Sequence, residues 1–260
     1  MCFKQRLGAD ASPLGKTVLR KVRARPASRK SNRHANGGSY VRHDFKEYQC
    51  VPENYLYFGN IHPNERQFKN EKFIGLALYP KHEREMQHNA LDPLPFSDNS
   101  IPKIQSQDVF EHLPYHALVQ VLDEIFRVLK PGGVFRLSVP DYRAPLLKKR
   151  TVYNFKNQPL GDLMMGASVA YDSADRGVKV TLLQNGDAHL WFPRYELLLE
   201  LIVKSRIRQC NDIVFYQYFI DDENFVCNPI PENEMFVMRC EPNDPRAQGK
   251  PISIVVDFFK

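Results

Sequence analysis

The 260-residue chain contains no apolar run approaching the length of a membrane span, and no early apolar core of a secretory signal. Its five cysteines, Cys2, Cys50, Cys210, Cys227 and Cys240, are odd in number and widely spaced, with no CxxC pair. That pattern argues against a cysteine-built zinc site and for free thiols in a reducing, cytoplasmic setting. There is no internal repeat, no phosphate-binding glycine loop, no Ser-His-Asp arrangement and no local metal-ligand motif, so no metal is expected. Acids are nearly missing from residues 1–43, where Asp10 alone stands against eleven Lys or Arg. The rest of the chain carries 25 basic and 29 acidic residues, so the net +6 belongs to the tail.

Two domains follow from this asymmetry: a basic segment over 1–45 and a folded domain over 46–260. Residues 23–39 are rich in Arg, Ser, Ala, Gly and Asn, with too little apolar surface to order themselves. Within the tail, Leu14, Val18, Leu19 and Val22 form one short apolar stripe. This fits a helix on an anionic membrane surface, an organelle transit peptide, a nucleic-acid-binding arm or a solvated disordered tail.

The folded part reads as α/β. Residues 104–109 form a short strand-like run, and 116–129 carry Leu118, Val121, Leu122, Ile125, Val128 and Leu129 at helical spacing. Lys130-Pro131-Gly132-Gly133 ends that helix, and Val134–Val139 follows as an apolar strand. Strand, helix, turn and strand make a crossover unit of a parallel sheet.

The segment DPLPFSDNS (92–100), with EHL (111–113), RVLKPGG (127–133) and a closing Pro140-Asp141, resembles the second half of a class I S-adenosylmethionine-dependent methyltransferase of the type-11 kind. Asp187-Ala188-His189-Leu190-Trp191-Phe192, a helix over 195–204 and a final strand near 251–257 are similar to the small predicted methyltransferases linked with polysaccharide synthesis. The resemblance implies a Rossmann-like sheet with helices on both faces and S-adenosylmethionine as cofactor. The implied cofactor contacts are Gly59 after the first strand, Ala77 after the second, Asn89 and Ala90 after the third, and Gln107 and Asp108 after the fourth.

Two of these positions depart from the family pattern. Ile61 stands where a later glycine is expected, and a β-branched residue is strained in a left-handed turn, so the pocket floor is expected to be reshaped or blocked. Ala77 stands where an acid normally meets the ribose hydroxyls, leaving Glu83 or Glu85 as nearby substitutes. A lost charge-assisted hydrogen bond costs about 1.5–3 kcal/mol.

His112, His189 and Asp141 are the candidate catalytic residues. His112 has a side chain suited to proton transfer or to packing at a helix start. His189 neighbours the single tryptophan, Trp191, and is read equally as a site base or as a packed core histidine. Asp141 follows the fifth strand and either contacts substrate or caps the next turn. Residues 142–188 are expected to form a lid or substrate wall, with Tyr142, Tyr153, Phe155 and Tyr171 among basic residues and a helix over 162–170. The expected activity is methyl transfer to a small-molecule or glycan-related acceptor. The alternatives are a catalytically inactive binding module and a nucleic-acid methyltransferase that uses the basic tail.

Overall fold

A computed structural model describes residues 53–171, 177–182 and 187–260. The basic segment expected over 1–45 lies outside them. An eight-stranded sheet organises the domain. Its strands are β1 (Tyr55–Phe58), β2 (Phe73–Ala77), β3 (Glu85–Gln87), β4 (Ile101–Gln107), β5 (Leu129–Pro140), β10 (Asp212–Phe219), β11 (Phe225–Cys227) and β12 (Ser253–Phe259). They lie in the order β11-β10-β12-β5-β4-β1-β2-β3. From β3 to β5 all neighbours are parallel, and β12 returns antiparallel between β5 and β10. The chain runs outward one way from β1 and the other way from β4, so the order reverses between those two strands. Open α/β sheets bind ligands beyond the carboxyl ends at such a reversal. The Rossmann-like sheet implied by the resemblance is therefore present.

Side chains alternate along each strand, so every strand contributes to both faces. Leu56, Phe58, Ile74, Leu76, Ile104, Phe135, Leu137, Ile254, Val256 and Phe258 make the first face. Against it pack α2 (Leu118–Val128) and α4 (Tyr195–Lys204), through residues such as Leu122, Ile125, Leu198 and Ile202. The sequence reading placed both helices correctly, except that 115–117 forms a 3-10 turn leading into α2.

The second face is covered differently. Its only helix among the described residues is the one-turn α1 (Arg66–Lys69), whose Phe68 joins Tyr55, Tyr57, Phe73, Val134 and Met235. The remaining cover is the connection 228–252 between β11 and β12. An irregular segment laid on a sheet brings unpaired backbone groups with it, and these need partners. Long amide side chains supply them. Gln105 Nε2 donates to the Phe236 carbonyl at 2.8 Å, Gln107 Oε1 accepts from Met238 N at 2.8 Å, and Gln217 bonds both ways with the Glu241 backbone at 2.6 and 3.0 Å. Gln67 of α1 also donates to the Phe236 carbonyl.

At the centre of this face Arg136 of β5 sits opposite Asp257 of β12. Both side chains are fully buried, with a two-pronged contact of 2.7 and 2.6 Å. The remaining guanidinium nitrogen reaches the Met235 carbonyl at 2.5 Å and the Glu232 carbonyl at 3.3 Å.

Residues 142–188 carry α3 (Pro145–Lys148) and two hairpins, β6 (Thr151–Tyr153) with β7 (Pro159–Asp162), and β8 (Ala167–Tyr171) with β9 (Val178–Leu182). The helix expected over 162–170 is not formed. Asp162 instead closes a turn by accepting Met164 N at 2.9 Å, and Gly166 takes φ +75°. A Cβ on Gly166 would stand 2.9 Å from Ala188 Cα, so the hairpin uses its glycine to approach 188 closely.

Truncating one partner of the buried pair leaves the other charged and unpaired, so Asp257→Ala should cost about 3–5 kcal/mol of unfolding free energy. Urea unfolding measures it, and a loss under about 1 kcal/mol would show that the connection does not depend on this pair.

Candidate functional site

At the end of β1 the chain turns through Gly59, the one residue of this turn with positive φ, at +96°. A Cβ there would also meet Val109 Cγ2 at 3.1 Å, so the position calls for glycine twice over. Ile61 does not have the strained conformation expected of it: its φ is not positive, and its side chain is buried with Tyr55, Tyr57 and Phe73. Gly75 of β2 makes the space. Its missing Cβ leaves room for the Glu85 Cγ, the Gly59 carbonyl and the Ile61 side chain.

Glu85 does not stand in for the missing ribose acid. Its carboxylate is buried and accepts from Ile61 N at 2.7 Å, Asn60 Nδ2 at 2.7 Å and Lys81 N at 2.6 Å, with His82 Nε2 at 2.9 Å. It is therefore a staple that fixes the glycine turn against the β2–β3 loop. Glu83 is exposed, and Ala77 is buried with only a methyl to offer. Asn89 Oδ1 accepts from Leu91 N at 3.1 Å in a local turn, while Ala90 packs against the core. The cofactor candidates thus lie along the carboxyl ends of adjacent strands, but Ala77, Asn89 and Ala90 bring no charge there.

Charge gathers beyond β4 instead. Asp108 has φ +53°, and its carboxylate lies 3.3 Å from Arg239 Nε of the 228–252 connection. Burial raises the Asp108 carboxyl, with Arg239 opposing the shift. Gln107, proposed as a cofactor contact, spends its oxygen on Met238 N. One turn on, Glu111 is fully buried and neither carboxylate oxygen accepts a hydrogen bond. Burial, and after it the charge of Asp108, hold this carboxyl well above the usual carboxylate range.

Both candidate histidines converge on Glu111. His112 Nε2 is 4.0 Å and His189 Nε2 3.8 Å from its Oε1, and the two rings meet edge to face at 4.7 Å. The outer ring nitrogens are both held. His112 Nδ1 lies 3.2 Å from the Ala188 carbonyl, which can only accept, so this nitrogen carries the proton. His189 Nδ1 is 2.5 Å from the Tyr142 hydroxyl, which lies 2.6 Å from Asp162 Oδ2. Asp162 also accepts from Arg150 Nε at 2.7 Å. The phenol proton goes to the carboxylate, and His189 Nδ1–H donates to the phenol oxygen. Burial first, then the neighbouring His112, Arg150 and Arg239, push His189 down to about 3, which keeps it neutral.

The backbone carrying His189 is pinned from two sides. His189 N donates to the Met165 carbonyl at 3.3 Å and Leu190 N to the Glu111 carbonyl at 2.8 Å. Trp191 anchors the same segment by donating Nε1–H to the Phe110 carbonyl at 2.8 Å. His189 is therefore buried, as the packing alternative had it, yet its neighbours are polar.

Asp141 does not join this cluster. Its two oxygens accept from Arg143 N at 2.9 Å and Phe219 N at 2.7 Å, tying β5 to the end of β10, which is the capping alternative. Sequence reasoning missed Glu111, Tyr142, Arg150, Asp162 and Arg239 as site residues. The weak signal was DVFEH itself, which places Asp108, Glu111 and His112 together. The other groups arrive from distant segments that no local spacing connects.

A cavity of about 730 Å³ adjoins the cluster through Tyr142. Tyr153 and Phe192 give it aromatic walls, and Arg143, Lys148, Arg194, Asp221 and Asp222 give it charge. All three cations are already matched, Arg143 and, at 3.7 Å, Arg194 by Glu196, and Lys148 by Asp222 at 2.7 Å.

Residues 60–137 match the family described as methyltransferase domain. A Mycolicibacterium smegmatis protein named "probable S-adenosylmethionine-dependent methyltransferase" is 42% identical over 65 residues, 25% of this chain and 24% of that protein. The chain thus aligns with about a quarter of that relative's length. Among solved structures, a SAM-dependent methyltransferase from Archaeoglobus fulgidus has a TM-score of 0.43 at 14% identity, over 83% of this chain and 90% of that one. One from Methanosarcina mazei has 0.42 at 14% identity, over 84% and 97%.

Asp141 gives the site's surroundings a testable pH signature. Burial pushes its carboxyl up to about 6 from 3.8, against the two backbone bonds that oppose the shift. A raised carboxyl contributes stability below the unfolded value, and that contribution is lost as pH rises through the folded one. Relative to Asp141→Asn, the parent chain should lose about 2.5 kcal/mol of unfolding free energy from about pH 4 to pH 7. Urea unfolding of both proteins across that range gives the difference, and a flat difference would mean the carboxyl is not raised.

Proposed function

We propose, for a chain whose residues 60–137 match the methyltransferase-domain family, that it transfers a methyl group from S-adenosylmethionine to a small-molecule or glycan-related acceptor. The observation that carries this reading is Gly59 at φ +96°, at the carboxyl end of β1 where the strand order reverses. A backbone free of a side chain at that point lets the methionine part of the cofactor approach closely. Gly59, Gln107 and Asp108 are the proposed cofactor side of the site, with Ala77, Asn89 and Ala90 lining its adenosine end.

The acceptor side is assigned to the cluster around His112 and His189 and to the cavity beyond Tyr142. Its volume of about 730 Å³ falls in the range of small-molecule sites, roughly 300–1,000 Å³. Aromatic faces with fixed charges at their edges suit a polar, sugar-sized molecule. Residues 142–159 supply much of that wall, in keeping with the lid role proposed for the stretch 142–188. The cofactor carries the reactivity when bound, and the protein's part is alignment of the acceptor atom with the methyl group.

One observation favours the rival reading of a binding module without catalysis. Ala77 offers no ribose acceptor, and the nearby buried acid, Glu85, is consumed by the turn it staples. Calorimetry with S-adenosylhomocysteine separates the two readings. The enzyme reading expects micromolar binding and at least a tenfold loss in Gly59→Val, whose side chain meets Val109 in a backbone conformation it disfavours. No heat of binding at millimolar ligand would leave only the module.

A further inference from the structure

We infer that Glu111, His112 and His189 form a binding site for one divalent transition-metal cation. The donor atoms of these three side chains all lie within 4.8 Å of one another. Two imidazoles and one carboxylate are a ligand set for zinc, cobalt or iron rather than for magnesium or calcium, which prefer oxygen.

Two further observations point the same way. The first is the Glu111 carboxylate, which is completely buried with both oxygens lacking a hydrogen-bond donor. Burying such a group without a donor is costly, and a cation between it and the two rings would satisfy it. The second is the state of the rings. Each histidine commits Nδ1 to a neighbour, His112 to the Ala188 carbonyl and His189 to the Tyr142 hydroxyl, so each turns the Nε2 lone pair towards Glu111. Metal-bound histidines are oriented in this way by a carboxylate or a carbonyl behind them. Here the Asp162–Tyr142 pair stands behind His189, and a backbone carbonyl stands behind His112.

Of the three side chains, His112 is the least buried, at 19% exposed against 1–2% for the others. The cation site does not depend on the methyl-transfer reading. The two bear on each other in one respect, since a nitrogen lone pair that holds a cation cannot also take a proton from an acceptor.

The full chain, stripped with a chelator and then titrated with Co²⁺, tests the inference. One equivalent should bind, with visible absorption that Zn²⁺ abolishes by displacement. Proton spectra of the Co²⁺ form should show two exchangeable, strongly shifted resonances, the Nδ1–H protons of two imidazoles bound through Nε2. Tyr142→Phe should weaken binding by about tenfold or more through loss of the support behind His189. His112→Ala with His189→Ala should remove the site, with circular dichroism reporting whether that variant is folded. The spectrum of the parent chain is decisive even where the variant does not fold. No Co²⁺ bound at millimolar concentration, a spectrum without the two resonances, or unchanged one-to-one binding in the folded double variant would each overturn the site.

Discussion

The buried Arg136–Asp257 pair is the contact on which the rest of the molecule turns. It joins β5 to β12 in the middle of the sheet, and its spare donors reach out to the Glu232 and Met235 carbonyls. A buried pair of this kind is no guarantee of stability, because desolvation offsets most of the attraction. Its effect here is positional. It fixes the start of an irregular connection, and from that point Gln67, Gln105 and Gln107 bind Phe236 and Met238 in sequence. The next residue, Arg239, is thereby delivered to Asp108. A charge in the middle of the sheet thus sets a charge at its carboxyl edge.

The same logic explains the composition of the two faces. The first is apolar and carries helices, which satisfy their own backbone. The second carries buried amides and an arginine because the segment laid over it cannot satisfy its backbone alone. With β1 to β3 linked by short connections and a single helical turn, the connection 228–252 covers surface that would otherwise be open. The structure therefore uses polar side chains inside the domain without leaving most of them unpaired. Glu111 is the clearest exception, and it lies in the candidate site.

Much of this was legible in the residues. The crossover from β4 through α2 to β5 follows from periodicity and turn chemistry, while the strand at 73–77 and the helix at 195–204 follow from the family resemblance. His112 and His189 stand out in the sequence, although no local spacing shows that they meet. What escaped was non-local. Ile61 reads as strain in a left-handed turn, but Gly75, one strand over, makes room for it. Gln107 reads as a ligand contact, and no local signal shows that its amide oxygen also binds a segment arriving from residue 238. The 162–170 stretch reads as a helix, yet Gly166 is required for close contact with Ala188. The Glu111 trio has no spacing motif because its third member comes from beyond the two hairpins.

The central claim is that the crevice at the β1–β4 reversal, bounded by Gly59, Asp108 and Arg239, accepts a methyl-donor cofactor without rebuilding of the turn behind it. A crystal structure of the full chain with S-adenosylhomocysteine at millimolar concentration tests it most directly. The account predicts the ligand's sulfur in that crevice, with the Glu85 carboxylate still bonded to Ile61 N and Asn60. An empty crevice, or a ligand seated only in the cavity beyond Tyr142, would contradict it.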